Sequence, residues 1–478
     1  MLRHLAKASD FLKTLLFRLK IRRPRHSGTL SVEVRRCASW VPVVTLAALS
    51  VLMWPLVARA GQQQPSPKLR VEMDASQPAR QPQSATPLAS LIDEAERNNP
   101  RIVAARLAWQ AAEQVPSQVS TLPDPQFTVQ QFAVGSPRPF AGFSNSNFAY
   151  IGFGVSQDLP YPGKLRLRGE MARRGAVVTE DKFELVRHEV TEKLKTAYFQ
   201  ASYIQQTLRI LLRDQKLLAE IEKIAESRYR VGQGNQQDVL KAQLEQTKLL
   251  RKLVVTHEEM SVAESRLRQL LNRPAGSPDI VAEPLTETTL PYSVDYLMAH
   301  VRTGNPSVDA GQQAVRQQGL QVELAHKDFY PDFNVQYMWQ HTAAQFRDYY
   351  MLTFGVRIPI HRQRKQEPEL AQAVENLNSS RRQYEAQVQQ AYFDVKDQFL
   401  SAQTGAQILK IYREGLIPQA TATFNAGLAA YQQNREDFET LINSFLDVLN
   451  LDEEYWQTLA GHEIALAKIE ALTGVNLP

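Results

Sequence analysis

Residues 194–232 read LKTAYFQASYIQQTLRILLRDQKLLAEIEKIAESRYRVG. Apolar or small side chains recur in 3-4 spacing through Leu194, Ala197, Ala201, Ile204, Leu208, Leu211 and, past Gln215, Leu218. That spacing is the seam of a coiled coil rather than the broader stripe of a globular helix. Gln, Lys, Arg and Glu fill nearly every other position, which argues against a helix buried on all sides. Working outward, no proline occurs from Lys164 to Arg273, and glycine only at Gly169, Gly175, Gly232 and Gly234. A helix from Lys164 to Tyr229 would reach about 100 Å, wider than one compact domain. The turn Tyr229-Arg230-Val231-Gly232-Gln233-Gly234-Asn235 then sends the chain back into a second long helix.

The same plan appears twice. Asn99-Pro100 recurs as Asn305-Pro306, Leu122-Pro123-Asp124 as Tyr330-Pro331-Asp332, and Phe153-Gly154-Val155 as Phe354-Gly355-Val356. Tyr229 matches Tyr431 and Leu270 matches Leu472; the offsets are 206, 208, 201, 202 and 202. A period near 200 residues is too long for a solenoid and indicates a doubled structural unit. Each half reads as short helix, two strands, very long helix, tight turn, long helix. The second turn is Tyr431-Gln432-Gln433-Asn434-Arg435-Glu436, with Asn434 at the offset of Gly232; both residue types accept the left-handed conformation that ends a helix. The expected layout is residues 1–60 as a signal peptide, 61–87 as an extended lead-in, 88–272 as the first repeat, 273–291 as a Pro-rich linker and 292–478 as the second repeat.

The strands alternate. Phe333, Val335, Tyr337 and Trp339 alternate with Asn334, Gln336 and Met338; Tyr350, Leu352, Phe354, Val356 and Ile358 alternate with Met351, Thr353, Gly355 and Arg357. Ile151, Phe153 and Val155 form an apolar side in the first half, and Phe127, Val129 and Phe132 a rougher one with a phase slip. Such runs, apolar and aromatic on one face and polar or glycine on the other, suit an outer-membrane barrel, and a half-buried soluble sheet fits any one of them equally. Four strands cannot close a barrel alone, so several chains would have to contribute.

Charge and chemistry narrow the function. Residues 1–60 hold eleven Lys/Arg and two acids, whereas the remainder has 44 basic and 48 acidic residues. The basic balance therefore belongs to the leader, and nucleic-acid binding loses its support. The uncharged run from Cys37 to Ala58 followed by Ala58-Arg59-Ala60 fits signal-peptide cleavage, with an anchor helix as the alternative. Cys37 is the only cysteine, so the cleaved chain has no thiol chemistry. His257-Glu258 and His462-Glu463 begin like a zinc-protease motif, but Ser261 and Leu466 stand where its second histidine belongs. Gly152/Gly154 and Gly232/Gly234 lack the third glycine of a dinucleotide fingerprint, and Gly163-Lys164 lacks the rest of a phosphate loop. No enzyme, cofactor or metal is expected.

Several segments carry a family resemblance: Leu122-Pro123-Asp124-Pro125, Gly154-Val155-Ser156-Gln157-Asp158-Leu159-Pro160-Tyr161-Pro162-Gly163-Lys164, Tyr229 to Gly232, Asp238-Val239-Leu240, Leu416-Ile417-Pro418-Gln419-Ala420 and Ala430-Tyr431-Gln432. With the doubled hairpins they resemble the TolC-like outer-membrane efflux proteins, or outer membrane factors, and look most like the branch serving heavy-metal pumps of the resistance-nodulation-division type. The resemblance implies a mainly α fold with a small β part. Three copies would form a helical α-barrel in the periplasm of a Gram-negative bacterium and a twelve-stranded β-barrel in its outer membrane. It implies a passive conduit for metal cations or drugs, with an inner-membrane pump and a periplasmic adaptor as partners. The adaptor would meet the turns, at Tyr229, Gly232, Gly234, Tyr431 and Asn434. Phe333, Val335, Tyr337, Trp339, Leu352 and Phe354 would face lipid. Many members carry acids in a stretch that narrows the pore. Here it reads Thr440-Leu441-Ile442-Asn443-Ser444, with Glu436, Asp437 and Glu439 nearby, so Glu436, Asp437, Glu439, Thr440 and Asn443 are the constriction candidates. A soluble periplasmic coiled-coil scaffold or adaptor would share the helices but has no use for the aromatic strands.

Overall fold

The computed structural model describes residues 85–132, 148–342 and 347–477. The expected signal peptide and nearly all of the lead-in lie outside the described residues. Three short helices, α1 (Leu88–Asn98), α2 (Pro100–Glu113) and α3 (Val115–Ser120), precede strands β1 (Gln126–Phe132) and β2 (Tyr150–Leu159). Helices α4 (Lys164–Arg230) and α5 (Gln236–Leu271) form the first hairpin. The second half has α6 (Val294–Gly304), α7 (Pro306–Lys327), β3 (Asp332–Thr342) and β4 (Tyr349–Arg357). It continues with α8 (Gln366–Ile411), a π turn (Tyr412–Leu416), α9 (Ile417–Gln432) and α10 (Phe438–Thr473).

The expected single short helix per half is in fact three and two. Asn99 and Asn305 precede prolines and take extended backbone, ψ 122° and 110°, which interrupts the helix before Pro100 and Pro306 restarts it. Otherwise the halves agree closely: α4 is 67 residues, Gln366 to Gln432 spans the same length, and α5 and α10 are 36 residues each. The π turn has a local cause. Pro418 has no N–H to give to the Glu414 carbonyl, and the Ile417 N–H reaches back five residues to Tyr412 O instead.

Two buried asparagines tie the parts of each half together in the same way. The Asn99 side chain accepts from Arg101 N (2.9 Å) and donates to Leu270 O (2.7 Å). Asn305 accepts from Ser307 N (2.9 Å) and donates to Leu472 O (2.9 Å). Each caps the helix it starts and satisfies a carbonyl in the last turn of the hairpin's second helix.

The strands form one antiparallel sheet in the order β1-β2-β3-β4. Register places Phe127 opposite Val155, Val155 opposite Tyr337, and Tyr337 opposite Leu352; two residues along, Val129 faces Phe153, which faces Trp339, which faces Tyr350. One face is therefore apolar across all four strands. The pairing of β1 with β2 is unbroken from Gln126 to Phe132. The expected phase slip is absent: Phe132 lies on the opposite, polar-side face, stacked on Tyr150 at 5.9 Å. On that face Met338 is buried beneath Gly152 and Gly154, where any Cβ would press on it at 3.2 Å.

Helices follow the same sequence as strands. α4 lies between α5 and α10, and α10 packs in turn on α8 and α9. Leu194, Ala197, Ala201, Ile204, Leu211 and Leu218 of the predicted seam are all buried. Sheet and helices are joined at Lys164, whose ammonium is 2.9 Å from Asp332 and 3.0 Å from Asp328. Asp332 also accepts from Tyr161 N (2.9 Å), and the Tyr161 and Tyr330 rings stack at 4.6 Å.

Replacing Asn99 or Asn305 with alanine orphans a buried carbonyl and removes a cap, a loss of about 1–3 kcal/mol at each site. Thermal unfolding followed by helical circular dichroism should show similar drops for both variants. Serine at either site, which keeps the cap alone, should fall between alanine and the native protein.

Candidate functional site

The two interhelical turns lie together and have one geometry built from different residues. At the end of α4, Gln233 N bonds to Arg228 O (2.9 Å) and Gly232 N to Tyr229 O (3.0 Å), with Gly232 at φ 74°. At the end of α9, Arg435 N bonds to Ala430 O (2.9 Å) and Asn434 N to Tyr431 O (3.1 Å), with Asn434 at φ 63°. Both are Schellman closures, in which the residue after the cap must turn left-handed. Gly234 is tightly placed for another reason: a Cβ there would sit 3.1 Å from that of Arg228, which would have to give way by a few tenths of an ångström.

Arg228 fastens the two turns together. Its guanidinium lies 4.1 Å over the Tyr431 ring, and it donates to Tyr431 O, to Asn434 Oδ1 and to Gln233 O (3.0 Å). The Tyr431 hydroxyl reaches Asp238 Oδ2 at 3.4 Å. Burial, and then the Asp238 charge, push the Tyr431 phenol up to about 12, so it remains a donor across the physiological range. Two tyrosines expected at an exposed tip thus part ways. Tyr229 is 48% exposed, whereas Tyr431 is 1% exposed and belongs to the tip's interior rather than its surface. Arg228 carried no sequence signal, because nothing like it occurs at the matching position, Ala430.

Past the second turn, Asp437 caps α10. Its carboxylate accepts from Thr440 N at 2.7 Å, which holds its pKa below the usual carboxylate value. Glu439 pairs with Lys241 of α5 at 2.8 Å. Glu436 is half-buried, while Thr440 and Asn443 are exposed one turn apart on α10. The histidine-glutamate pair nearest a protease motif is structural: both His462 ring nitrogens face carbonyls, Ala402 O at 2.9 Å and Thr288 O at 2.8 Å. Glu463 Oε1 accepts from Thr288 N at 2.8 Å. The pair therefore fastens the linker to α8 and α10. Among the described residues no cluster of His, Cys, Asp or Glu could hold a metal ion, and no helix is long and apolar enough to cross a membrane.

In the sheet, Phe333, Val335, Tyr337, Trp339, Leu352 and Phe354 share the apolar face. It is open to solvent in the single chain; Phe127 is 84% and Phe354 71% exposed. A soluble protein rarely leaves so continuous an apolar surface uncovered.

A family model described as outer membrane efflux protein matches residues 91–273 and again residues 297–434, one segment in each half. The chain belongs to the outer membrane efflux protein family. The members of this family are transport channels and not enzymes. Solved structures share the fold. The chain resembles CusC, whose crystal structures concern conformational changes accompanying folding and transmembrane channel formation, at TM-score 0.70 and 17% identity over 81% of this chain and 92% of that one. It resembles VceC from Vibrio cholerae at TM-score 0.68 and 16% identity, covering 81% and 96%. It resembles the open-state MtrE channel of Neisseria gonorrhoeae at TM-score 0.69 and 16% identity, covering 81% and 88%. Comparison with curated protein sequences found none that matches.

One prediction tests the bridge at the turns, and a second tests a half-buried acid near the root of α4. Arg228→Gln removes a charge-assisted link worth about 1.5–3 kcal/mol, and hydrogen exchange should quicken at both turns together, residues 229–236 and 431–438. Quickening confined to the first turn would show that the bridge carries no energy. On α4, burial and then the charges of Asp309, Glu180 and Glu184 raise the Asp181 carboxyl to about 6. The folded state thus holds that proton more tightly than the unfolded chain does. Stability from this group is full below about pH 4 and is lost as pH rises through 6. Asp181→Asn should melt higher than the native protein at pH 7, with the difference vanishing near pH 4.

Proposed function

We propose that three copies of this chain assemble into a passive conduit, with sheets closed into a twelve-stranded barrel in the outer membrane and hairpins forming a helical tunnel through the periplasm. The observation that carries this reading is the continuous apolar face of a four-stranded sheet joined to doubled hairpins. A sheet with free edges cannot stand in hydrocarbon, because its unpaired N–H and C=O groups have no partner there. Three four-stranded sheets closed in a ring leave no edge. The soluble scaffold reading leaves that face unexplained.

In this reading the paired turns meet a periplasmic adaptor, which couples the conduit to an inner-membrane pump. Gly232, Gly234 and Asn434 set the shape that the adaptor meets, Tyr229 is on its surface, and Tyr431 holds it from inside. The solutes are small, metal cations or drugs, and the pump rather than the conduit selects among them. Of the residues proposed to narrow the tunnel, Asp437 and Glu439 already have partners within one copy. Thr440 and Asn443 are exposed on the same helix. Threefold symmetry would turn these into rings of uncharged polar groups, with half-buried Glu436 beside them.

Leu352 and Thr353 are neighbours on opposite faces of β4 and provide the test. Leu352→Arg should destabilise the assembled barrel by about 2–4 kcal/mol, whereas Thr353→Arg should be tolerated. The measurement is the amount of heat-resistant trimer in outer-membrane fractions. Equal loss from both variants, or a native protein that fractionates as a soluble monomer, overturns the reading.

A further inference from the structure

The two halves of the chain meet along one seam, and among the described residues both surfaces of that seam recur without a partner at the outer edges. Within the seam β2 pairs with β3 and α4 packs on α10. The repeat makes β4 and the α8–α9 helix the counterparts of β2 and α4, and β1 and α5 the counterparts of β3 and α10. These counterparts are the edge strands of the sheet, and the helices beside them carry exposed apolar side chains. On α5 these are Leu240, Leu244 and Val262; on α8 they are Phe393, Leu400 and Ile411.

The offsets turn this into a register. β2 maps onto β4 at 201 and β3 onto β1 at 208, each keeping the apolar residues in phase. The pair Val155–Tyr337 then becomes Val356 opposite Val129, and Gln157–Val335 becomes Ile358 opposite Phe127. Ile358, 60% exposed just beyond β4, gains an apolar neighbour in Phe127.

The joint at Lys164 has a counterpart too. Asp332 maps onto Asp124, exposed two residues before β1. The Tyr161-to-Lys164 turn maps onto the exposed basic run His361-Arg362-Gln363-Arg364-Lys365. An acid on one edge thus matches a cluster of cations on the other. In the helices, the ion pair Lys195–Glu470 (2.5 Å) maps at offset 202 onto Asp397 and Arg268, the same pair with its charges exchanged. Asp397 is exposed. Arg268 already holds Asp279 at 2.5 Å, and its Nε is buried with no hydrogen-bond partner among the described residues.

Closing the ring of the conduit reading above sets β1 of one copy against β4 of the next; resting on that reading, we propose that they meet in this register and that the second copy's Asp124 completes the β4–α8 joint as Asp332 completes the β2–α4 joint. Opposed residues on paired strands have Cβ atoms about 4.5–5.5 Å apart, close enough for engineered cysteines to link. The test uses the full chain in outer membranes, in a Cys37→Ser background. Val356→Cys with Val129→Cys, and independently Ile358→Cys with Phe127→Cys, should each give a reducible covalent trimer under oxidation. The single variants and the offset combination Val356→Cys with Phe127→Cys should not.

Asp124→Lys should lower the yield of linked trimer, and adding Lys365→Glu should restore it. A native trimer that links only through the offset pair overturns the register while leaving the conduit intact. A trimer indifferent to Asp124→Lys overturns the completed joint. A native protein that is not a trimer by native electrophoresis overturns the conduit reading and this inference with it.

Discussion

Lys164 sits where β2 becomes α4, its ammonium within 3.0 Å of Asp328 and Asp332 and its side chain 4% exposed. Burying an ammonium costs several kcal/mol unless the charge is matched and its donors are satisfied. Here two carboxylates do so, and both come from the other half of the chain. The first helix of one hairpin is thereby held to the first strand of the second half. Because Asp332 also receives the Tyr161 N–H, the backbone leaving the sheet is fixed as well as the side chain. A helix of 67 residues magnifies any error in its starting angle, so a rigid joint at its root places the far turns.

Those turns show how a duplicated unit diverges without changing shape. Both close by the same pair of backbone bonds and need one left-handed residue, which is glycine in one half and asparagine in the other. What differs is the traffic of side chains between them. Arg228 crosses to the second turn and stacks on Tyr431, while the matching Ala430 has nothing to send back. The tip is therefore one asymmetric unit made from two equivalent parts, held by the Arg228 bridge together with the Lys241–Glu439 pair and a shared apolar core.

Elsewhere the polar groups that the fold buries are chiefly devices of connection. Asn99 and Asn305 close each half upon itself, and His462 with Glu463 holds the linker against the second hairpin. Apolar surface, by contrast, is left open on the sheet face and along the edge helices. Apolar flanks left uncovered on a single chain are what the proposed assembly in a lipid setting would cover.

Much of this was legible in the sequence because the signals are periodic. The 3-4 seam marked the long helices, alternation marked the two faces of the strands, and Gly232 and Asn434 marked the turns. Each depends on residues a few positions apart, so the local pattern carries it. Phe132 departs from the apolar face because unbroken pairing with β2 decides the phase of this short strand, and it stacks on Tyr150 on the polar-side face. Tyr431 reads as a tip residue; it is buried because Arg228, some two hundred positions earlier, stacks over its ring and Phe438 packs at its edge. The division of the short helices does have a local signal, since the residue before a proline disfavours helical backbone and Asn99 and Asn305 each precede one. The sequence by itself determined the elements and their faces, through interactions between near neighbours. Strand order, the Lys164 joint and the bridge at the tip required the tertiary structure, because each joins groups that only the folded chain brings within hydrogen-bonding or stacking distance.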